Sequence, residues 1–412
     1  MYETKPFNIS KYAVVDAYER VKANKGTYGV DRQSIKDFEK NRKDNLYKIW
    51  NRMSSGTYFP KPVRAVAIPK KNGGTRILGI PTVEDRVAQM VVKIYLEPKV
   101  ERIFYKDSYG YRPNKSAIQA IGETRTRCWK RKWVLEYDIK GLFDNIKHEY
   151  LMEMVEKHTD EKWIKLYVKR WLTVPFKMED GTIIERTSGT PQGGVISPAL
   201  ANLFMHYVVD DFMSKEFPNI LWARYADDGV MHCVTLKQAK YLKYRLEKRL
   251  KEYGLELNKE KTRIVYCKDD DGNEGCENRK FDFLGYTFRH RRTKSKRGKV
   301  FTGFLPAISD KAKKAIRKEV RRWRIQLKSD KSINDIANIV NSKIQGWINY
   351  YAHFYKSGMK NVLKYINSQL IRWVKRVYRK SAKSAVNWFT NIARRDPKLF
   401  AHWKLGIILP MA

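Results

Sequence analysis

Two adjacent aspartates between apolar stretches limit the structures that this chain can form. Residues 221 to 234 are predicted to form a strand, a tight turn and a second strand, with Ala226-Asp227-Asp228-Gly229 at the turn. Burial of two like charges side by side is costly unless a cation offsets them. We therefore expect the hairpin to hold a cation. Mg²⁺ is the expected ion, because it takes hard oxygen ligands and keeps positions for waters and phosphates.

A third carboxylate, Asp138, ends the short apolar run that begins at Trp133. This run is predicted to form a separate strand. If that strand lies beside the hairpin, the three carboxylates can hold two ions that stabilise the attacking and leaving oxygens of a phosphoryl displacement. Asp-rich turns are common and usually solvated, so the adjacent pair by itself also fits an ordinary surface turn.

The net charge predicts the class of partner. The chain has 84 Lys and Arg against 44 Asp and Glu, which gives a formal charge of +40 over 412 residues. Such an excess repels itself unless a polyanion neutralises it, so nucleic acid is the expected partner. A content of 42% hydrophobic residues excludes a disordered chain, and the length indicates two or three domains.

Targeting and cysteine patterns exclude other classes. No apolar run approaches the roughly 18 residues that span a bilayer, and the first ten residues lack the apolar stretch of a signal peptide. The sequence therefore predicts a bacterial-type intracellular protein that is soluble, associated with nucleic acid and not bound to membrane. The four cysteines form no CxxC pair, which argues against zinc modules and a disulfide framework.

Composition changes near residue 290. Before it, helical and strand patterns alternate, which indicates a mixed body of helices and sheets. From 289 to 299, seven of eleven residues are Lys or Arg, and we place a domain boundary there. Three amphipathic helices are predicted to follow. The first carries Ile316, Val320, Trp323 and Leu327 on one face, and the second opens with a capping box at Ser332.

Several ordered motifs resemble those of one protein family. Tyr225-Ala226-Asp227-Asp228 resembles the active-site box of reverse transcriptases, residues 138–144 resemble their first catalytic motif, and residues 188–198 are similar to their Pro-Gln-Gly motif. The whole set is similar to group II intron-encoded reverse transcriptases, or maturases. Further blocks that carry this resemblance lie at residues 25–31, 68–81, 108–113, 254–262, 283–286 and 345–351.

The resemblance implies a fold and a domain division. The expected class is α+β, a right-hand polymerase whose fingers and palm contain an antiparallel palm sheet, followed by an α-helical thumb or maturase domain. Fingers and palm are expected at 1–290, the helical domain at 291–380, and a short basic C-terminal extension, a DNA-binding remnant, at 381–412. Because paired CxxC motifs are absent, endonuclease activity is not expected.

The resemblance also implies roles for the carboxylates. Asp138, Asp227 and Asp228 match the catalytic residues that hold two Mg²⁺ ions, and the backbone carbonyl of Ile139 would be a further ligand.

Other matched residues would contact the incoming nucleotide. Lys70 and Arg76 match residues that hold the triphosphate, and cations around Asn72-Gly73-Gly74 suit a hairpin that closes over phosphates. Phe143 matches the steric gate against a 2′-hydroxyl, and Gln192 matches a residue near the nucleotide sugar and the template base. Alternatively, the hairpin is only a basic surface turn. Phe143 could likewise be an ordinary aromatic residue of the core.

A last group of residues is predicted to contact nucleic acid. Within the resemblance these are Lys25, Arg112 and the primer-grip residues Phe283, Leu284 and Gly285. The charge pattern adds Arg291, Arg292, Lys294, Lys296 and Arg297. Alternatively, this basic segment is a mobile linker that does not bind nucleic acid.

The implied activity is RNA-templated DNA synthesis, in which a DNA or RNA primer 3′-hydroxyl attacks the α-phosphate of a dNTP. Intron RNA and target DNA are implied partners, with roles in splicing and mobility. Two alternatives stay open: an RNA-binding splicing maturase with a vestigial polymerase, and a stand-alone reverse transcriptase recruited for defence or repair. Flanking ribozyme domains V and VI beside the reading frame would favour the intron role.

Overall fold

A computed structural model of the chain describes residues 5–69, 75–268, 278–294, 298 and 300–409. The chain forms two compact units, the first comprising Met1–Ala120 with Leu135–Arg263, and the second Ile121–Val134 with Ile264–Ala412. Both contain helices and antiparallel strand pairs, so the predicted α+β class is confirmed.

The helices and strands follow one another along the described chain. The α-helices are α1 (Lys11–Ala23), α2 (Ile35–Lys40), α3 (Arg42–Ser54), α4 (Val83–Glu101), α5 (Ala117–Lys130), α6 (Leu142–Asn145), α7 (His148–Glu156), α8 (Lys162–Thr173), α9 (Ser197–Met205), α10 (Asp211–Glu216), α11 (Leu236–Glu252), α12 (Asp310–Arg322), α13 (Ile333–Tyr351), α14 (Lys360–Val377) and α15 (Ala382–Arg395). The strands are β1 (Val63–Pro69), β2 (Thr75–Ile80), β3 (Trp133–Asp138), β4 (Phe176–Lys177), β5 (Ile183–Ile184), β6 (Leu221–Tyr225), β7 (Asp228–Cys233), β8 (Arg263–Tyr266), β9 (Lys280–Phe283), β10 (Tyr286–Lys294) and β11 (Val300–Ile308). A π-helix spans His206–Asp210, and 3₁₀ turns span Ile325–Leu327, Lys356–Met359 and Trp403–Leu405.

The strands form three sheets. Two are four-stranded, with the orders β2-β1-β4-β5 and β6-β7-β3-β8, and the third has the order β11-β10-β9. In the second sheet, which we call the palm sheet, β6 and β7 are antiparallel and Tyr225 pairs with Asp228. Every residue of β3 is buried. The hairpin and the separate strand predicted from the sequence are therefore confirmed.

Helices cover the palm sheet. Helix α9, the π-helix and α10 follow one another without a break from residue 197 to residue 216. The side chain of Arg249 on α11 donates hydrogen bonds of 3.2 Å to the backbone carbonyls of Tyr207 and Val208 in the π-helix. This contact ties α11 to a turn whose backbone departs from the regular α-helical pattern.

The second unit has a helical core. The three predicted helices are α12, α13 and α14, and the capping box at Ser332 forms with Asp335 as predicted. Leu327 is 51% exposed rather than on the apolar face of the first helix, because α12 ends at Arg322 and Arg324 adopts φ +48°.

Two features of this unit bear on the predicted domain limits. Residue 290 lies inside β10, which pairs along its whole length with β11. Two residues of the predicted extension at 381–412 are buried in the helical core: Phe389 on α15, and Trp403, which follows that helix. The division into polymerase, maturase and extension stays a prediction. No helix in the described part of the chain is both long and apolar enough to cross a membrane.

His402 makes the stability of the second unit depend on pH. Burial lowers the pKa of its imidazole to about 3, and its Nε2 lies 2.6 Å from Oδ1 of Asn367. Below the ordinary pKa of 6.5, the unfolded chain binds a proton here that the folded chain does not. Stability therefore falls as the pH is lowered, by about 2 kcal/mol between pH 6.5 and pH 5.

We expect His402→Gln to reduce the loss of unfolding free energy between pH 6.5 and pH 5, measured by urea unfolding followed by tryptophan fluorescence. His353, which is exposed in the same unit, provides the matched control, and His353→Gln should keep the wild-type pH dependence. If His402→Gln loses as much stability at low pH as the wild type, the pH dependence belongs to other groups.

Candidate active site

The turn between β6 and β7 presents Asp227 and Asp228 at one end of the palm sheet. Ala226 turns the chain with φ +58°, a conformation that is uncommon outside glycine. The next glycine allows β7 to approach β3, because a Cβ atom on Gly229 would lie 2.3 Å from the ring of Tyr137. Close approach of these strands brings Asp228 to Asp138, and the two side chains are hydrogen bonded.

A buried ion pair supports this turn. The side chains of Arg224 and Asp210 are both 0% exposed and meet at 2.5 and 2.7 Å. The remaining N–H groups of Arg224 donate to the carbonyl of Ala226, to Oδ1 of Asn202 and to Oγ of Ser108 at 2.9–3.2 Å. All five donors of the guanidinium are thus used, and one of them fixes the backbone of the turn.

Asp138 is held from two sides. Nζ of Lys261 lies 2.9 Å from both carboxylate oxygens, and Nδ2 of Asn258 donates to Oδ2 at 3.0 Å. The backbone nitrogen of Asn258 also donates to the carbonyl of Asp138 at 2.8 Å. Ile139 follows in an isolated bridge with Leu257. Lys261 lies in a sequence motif, but nothing in the sequence indicates that it pairs with a residue 123 positions earlier.

The pKa values of two of the carboxylates, Asp227 and Asp228, are raised. Burial and the charge of Asp138 raise the pKa of Asp227. Burial, the charge of Asp227 and the hydrogen bond to Asp138 raise the pKa of Asp228 to about 8. The charges of Lys261 and Arg76 oppose the shift at Asp227. A divalent cation would remove this conflict, so the residues fit one.

The site leaves coordination positions for other ligands. Among the described residues, no group of three or more His, Cys, Asp or Glu side chains is placed so that it could hold a metal ion by itself. A hard cation held by one or two carboxylates takes its remaining ligands from waters and phosphate oxygens, so a cation here would depend on ligands that the protein does not supply.

Aromatic rings stand beside the carboxylates. The ring centroids of Tyr111 and Phe143 are 6.5 Å apart in an edge-to-face arrangement, and Tyr111 lies 6.2 Å from Tyr225. The carbonyl of Phe143 accepts a 2.7 Å hydrogen bond from the backbone nitrogen of Thr190. Burial raises the pKa of the Tyr111 hydroxyl, and the negative charge of Asp227 raises it further. The hydroxyl therefore lies close enough to the carboxylates to interact with their charge. Sequence reasoning assigned Tyr111 no role, although it lies in the motif at 108–113.

The Pro-Gln-Gly segment packs against β2. Gln192 donates from Nε2 to Oδ1 of Asp144 at 3.4 Å, and its carbonyl accepts from the backbone nitrogen of Gly79 at 2.8 Å. Gly193 has φ +119°, and a Cβ atom there would lie 2.3 Å from the carbonyl oxygen of Gly79. Arg76, on the same strand, is exposed. Lys70 lies outside the described residues.

The residues predicted to contact nucleic acid have different surroundings. Lys25 is exposed with φ +55°. The side chain of Arg112 is only 6% exposed, because its guanidinium binds Glu101 and the carbonyls of Tyr105 and Ser108 at 2.6–3.1 Å. Those contacts give Arg112 a structural role, and its geometry does not support the predicted contact with nucleic acid.

The predicted primer grip is a turn within the second unit. Phe283 is buried, and Leu284 and Gly285 have φ values of +51° and +79° between β9 and β10. The hydroxyl of Tyr350 on α13 donates to the carbonyl of Leu284 at 2.8 Å. Contact with a primer stays a prediction.

The basic segment belongs to a strand. Arg291 donates to the carbonyls of Leu305 and Thr287 at 3.3 and 3.2 Å and lies over the ring of Tyr355. Arg292 is exposed. The side chain of Lys294, and residues Lys296 and Arg297, lie outside the described residues. The part up to residue 294 is therefore paired β10 rather than a linker, and Arg291 faces protein atoms.

Two family models match the chain. "Reverse transcriptase (RNA-dependent DNA polymerase)" matches residues 68–288, which are 221 of the 412 residues. "Group II intron, maturase-specific domain" matches residues 313–390.

Curated relatives agree with these matches. Group II intron-encoded protein LtrA of Lactococcus lactis subsp. cremoris is 35% identical over 193 residues, which cover 46% of this chain and 32% of LtrA. The chain thus spans about a third of that relative's length. Protein YkfC of Escherichia coli (strain K12) is 31% identical over 296 residues, which cover 60% of this chain and 72% of YkfC.

A solved structure of telomerase from Candida albicans has a TM-score of 0.48 and 12% identity, covering 91% of this chain and 68% of that one.

The extent of the first family match and the coverage of YkfC decide the assignment. The chain belongs to the reverse transcriptase family and carries a group II intron maturase-specific domain after the polymerase domain.

Proposed function

We propose that this chain is an RNA-directed DNA polymerase of the group II intron type, which also assists the splicing and mobility of an intron RNA. One observation carries the proposal. Asp138, Asp227 and Asp228 meet at the end of the palm sheet, where burial, and after it the charge of Asp227 and the hydrogen bond to Asp138, raises the pKa of Asp228 to about 8. A fold that keeps three acids in this conflict is suited to a cation-dependent reaction.

Two Mg²⁺ ions are the proposed cofactors. Asp138, Asp227, Asp228 and the carbonyl of Ile139 would hold them. When bound, the ions would neutralise charge on the attacking and leaving oxygens of the transferred phosphate. Lys261 and Asn258 keep the carboxylate of Asp138 oriented for this purpose.

The proposed substrates are dNTPs, which side chains around the carboxylates would position. Arg76, together with Lys70, would bind the triphosphate, since the charge of Arg76 already acts on Asp227. The ring of Phe143 would lie against the sugar and exclude a 2′-hydroxyl. Gln192 would contact the nucleotide sugar and the template base.

The proposed nucleic-acid partners are an RNA template with a DNA or RNA primer, an intron RNA, and a DNA target. The charge of +40 and the maturase-specific domain match support RNA as a partner. The target DNA rests on the intron-encoded relatives alone.

A primer-extension experiment tests the polymerase. The full chain is incubated with an RNA template, a labelled DNA primer and dNTPs, with Mg²⁺ or with EDTA. We expect full-length cDNA only with the cation, and no extension when the template is omitted. Tight binding of RNA without any extension would instead support a splicing maturase with a vestigial polymerase.

The gate has its own prediction. Phe143→Ala should admit ribonucleotides at least about tenfold more readily relative to deoxynucleotides, because the 2′-hydroxyl would no longer meet the ring. Single-nucleotide incorporation of dATP and ATP on one template measures this ratio. Phe104→Ala serves as the control, since Phe104 is an aromatic residue outside the described site. Unchanged sugar discrimination in Phe143→Ala would identify Phe143 as an ordinary core residue.

A further inference from the structure

The solvent side of α11 combines cations with aromatic rings. The buried stripe of this helix consists of Ala239, Leu242, Leu246 and Leu250. On the opposite side of the helix lie six exposed residues, most of them with a neighbour three or four positions away, so that they form one continuous surface. This surface, which we call the α11 outer face, consists of Lys237, Lys240, Tyr241, Tyr244, Lys248 and Lys251.

Three of the four lysines of this face have no acidic partner among the side chains that the structure describes. α11 contains seven Lys or Arg residues and two Glu. Within the part of the chain that the structure describes, no acidic side chain pairs with Lys237, Lys240 or Lys248, and Lys251 reaches Glu247 only at 4.0 Å. Like charges at these helical spacings destabilise a helix. A polyanion lying along the face would relieve that repulsion.

The tyrosines are accessible and one is held in place. Tyr241 is 51% and Tyr244 is 62% exposed, so both rings can be reached from solvent. The hydroxyl of Tyr241 accepts a 2.9 Å hydrogen bond from Arg245, which is also ion-paired with Glu216.

Exposed aromatic rings between free cations match one kind of partner. In proteins that bind single-stranded nucleic acid, cations follow the backbone and aromatic side chains stack on unpaired bases. Bases inside a duplex are already stacked on each other and offer no face to a tyrosine. We propose that the α11 outer face binds a single-stranded RNA segment, with its lysines on phosphates and Tyr241 and Tyr244 stacked on bases. This surface is additional to the polymerase site proposed above.

The test compares three variants of the full chain with the wild type. A labelled single-stranded RNA and a matched RNA duplex are titrated at several salt concentrations, with excess unlabelled primer–template present to saturate the polymerase site. The variants are Lys237→Ala/Lys240→Ala/Lys248→Ala, Tyr241→Ala/Tyr244→Ala, and the control Lys162→Ala/Lys165→Ala/Lys169→Ala on α8, which removes the same charge elsewhere.

The lysine variant should change the salt dependence of RNA binding, whereas the tyrosine variant should change only the affinity for single-stranded RNA. Removing three lysines should reduce the log–log salt slope for single-stranded RNA by about 2, since each neutralised phosphate contributes about 0.7. Removing both tyrosines should weaken single-strand binding at least about fivefold, leave the slope unchanged and leave duplex binding unchanged. The α8 control should keep the wild-type slope and affinity.

Three results would overturn the proposal. An equal loss in the α8 control would assign the effect to overall charge. An equal loss of duplex binding in the tyrosine variant would exclude stacking on unpaired bases. Wild-type RNA binding in both α11 variants would assign the face to another partner, such as an acidic protein, or to solvent. Extension of a short primer–template should proceed at the wild-type rate in all three variants, so this test is independent of the proposed polymerase activity.

Discussion

Asp227→Asn is expected to reduce RNA-templated primer extension by at least about a thousandfold. The substitution removes one of three carboxylates that meet at the end of the palm sheet, and with it part of the charge that would hold the cations. Bound cations supply several kcal/mol of transition-state stabilisation, and each 1.36 kcal/mol corresponds to about a factor of ten in rate. Single-turnover incorporation of one dNTP at saturating primer–template measures the effect.

A matched aspartate provides the control. Asp211 on α10 pairs with Lys215 at 2.7 Å and lies outside the carboxylate group, so Asp211→Asn makes the same chemical change elsewhere. It should retain extension close to the wild-type rate. Affinity for primer–template should be similar in all three proteins, because no basic side chain has changed. Extension by Asp227→Asn at the wild-type rate would remove these carboxylates from the proposed mechanism.

Arg224→Met is expected to lower the free energy of unfolding by about 3–5 kcal/mol. The methionine has a similar length but leaves the carboxylate of Asp210 fully buried without its cation. It also removes the hydrogen bond to the carbonyl of Ala226, which fixes the turn that carries Asp227 and Asp228. Urea unfolding at constant pH and salt measures the loss.

The double variant Arg224→Met/Asp210→Leu separates the charge from the other contacts. Replacement of a whole buried ion pair by apolar side chains is often neutral, so the double variant should be more stable than Arg224→Met alone. Ser108 and Asn202 would still lose their bonds to the guanidinium, which sets a lower limit on the remaining cost. A double variant as unstable as the single one would place the cost in those hydrogen bonds instead.

Local patterns predicted the local structure. The apolar flanks and the Asp-Asp turn are contiguous in the sequence, and the structure confirms them as β6, β7 and the turn between them. The capping box at Ser332 was predicted for the same reason, since all of its hydrogen bonds form within four residues. The α+β class followed from such local patterns together with the ordered motifs.

Contacts between distant segments could not be predicted. Asp210 precedes Arg224 by 14 residues, and only the packing of the π-helix against β6 removes both from water. Lys261 reaches Asp138 because the backbone of Asn258 bonds to the end of β3. The resemblance placed Arg112 at nucleic acid, whereas in the fold its guanidinium binds Glu101, eleven residues earlier. In each case the partner is selected by tertiary packing, which a single sequence does not contain.

The division of the chain between the two units has a consequence for the order of synthesis. Residues 121–134 belong to the second unit, yet they emerge from the ribosome before the rest of that unit, which begins at residue 264. Ile121, Thr124 and Cys128 are fully buried in the finished protein. Until the later segment is made, these side chains have no core to enter. The second unit therefore cannot complete its folding while the first is being translated, and the nascent chain exposes an apolar helix during that interval.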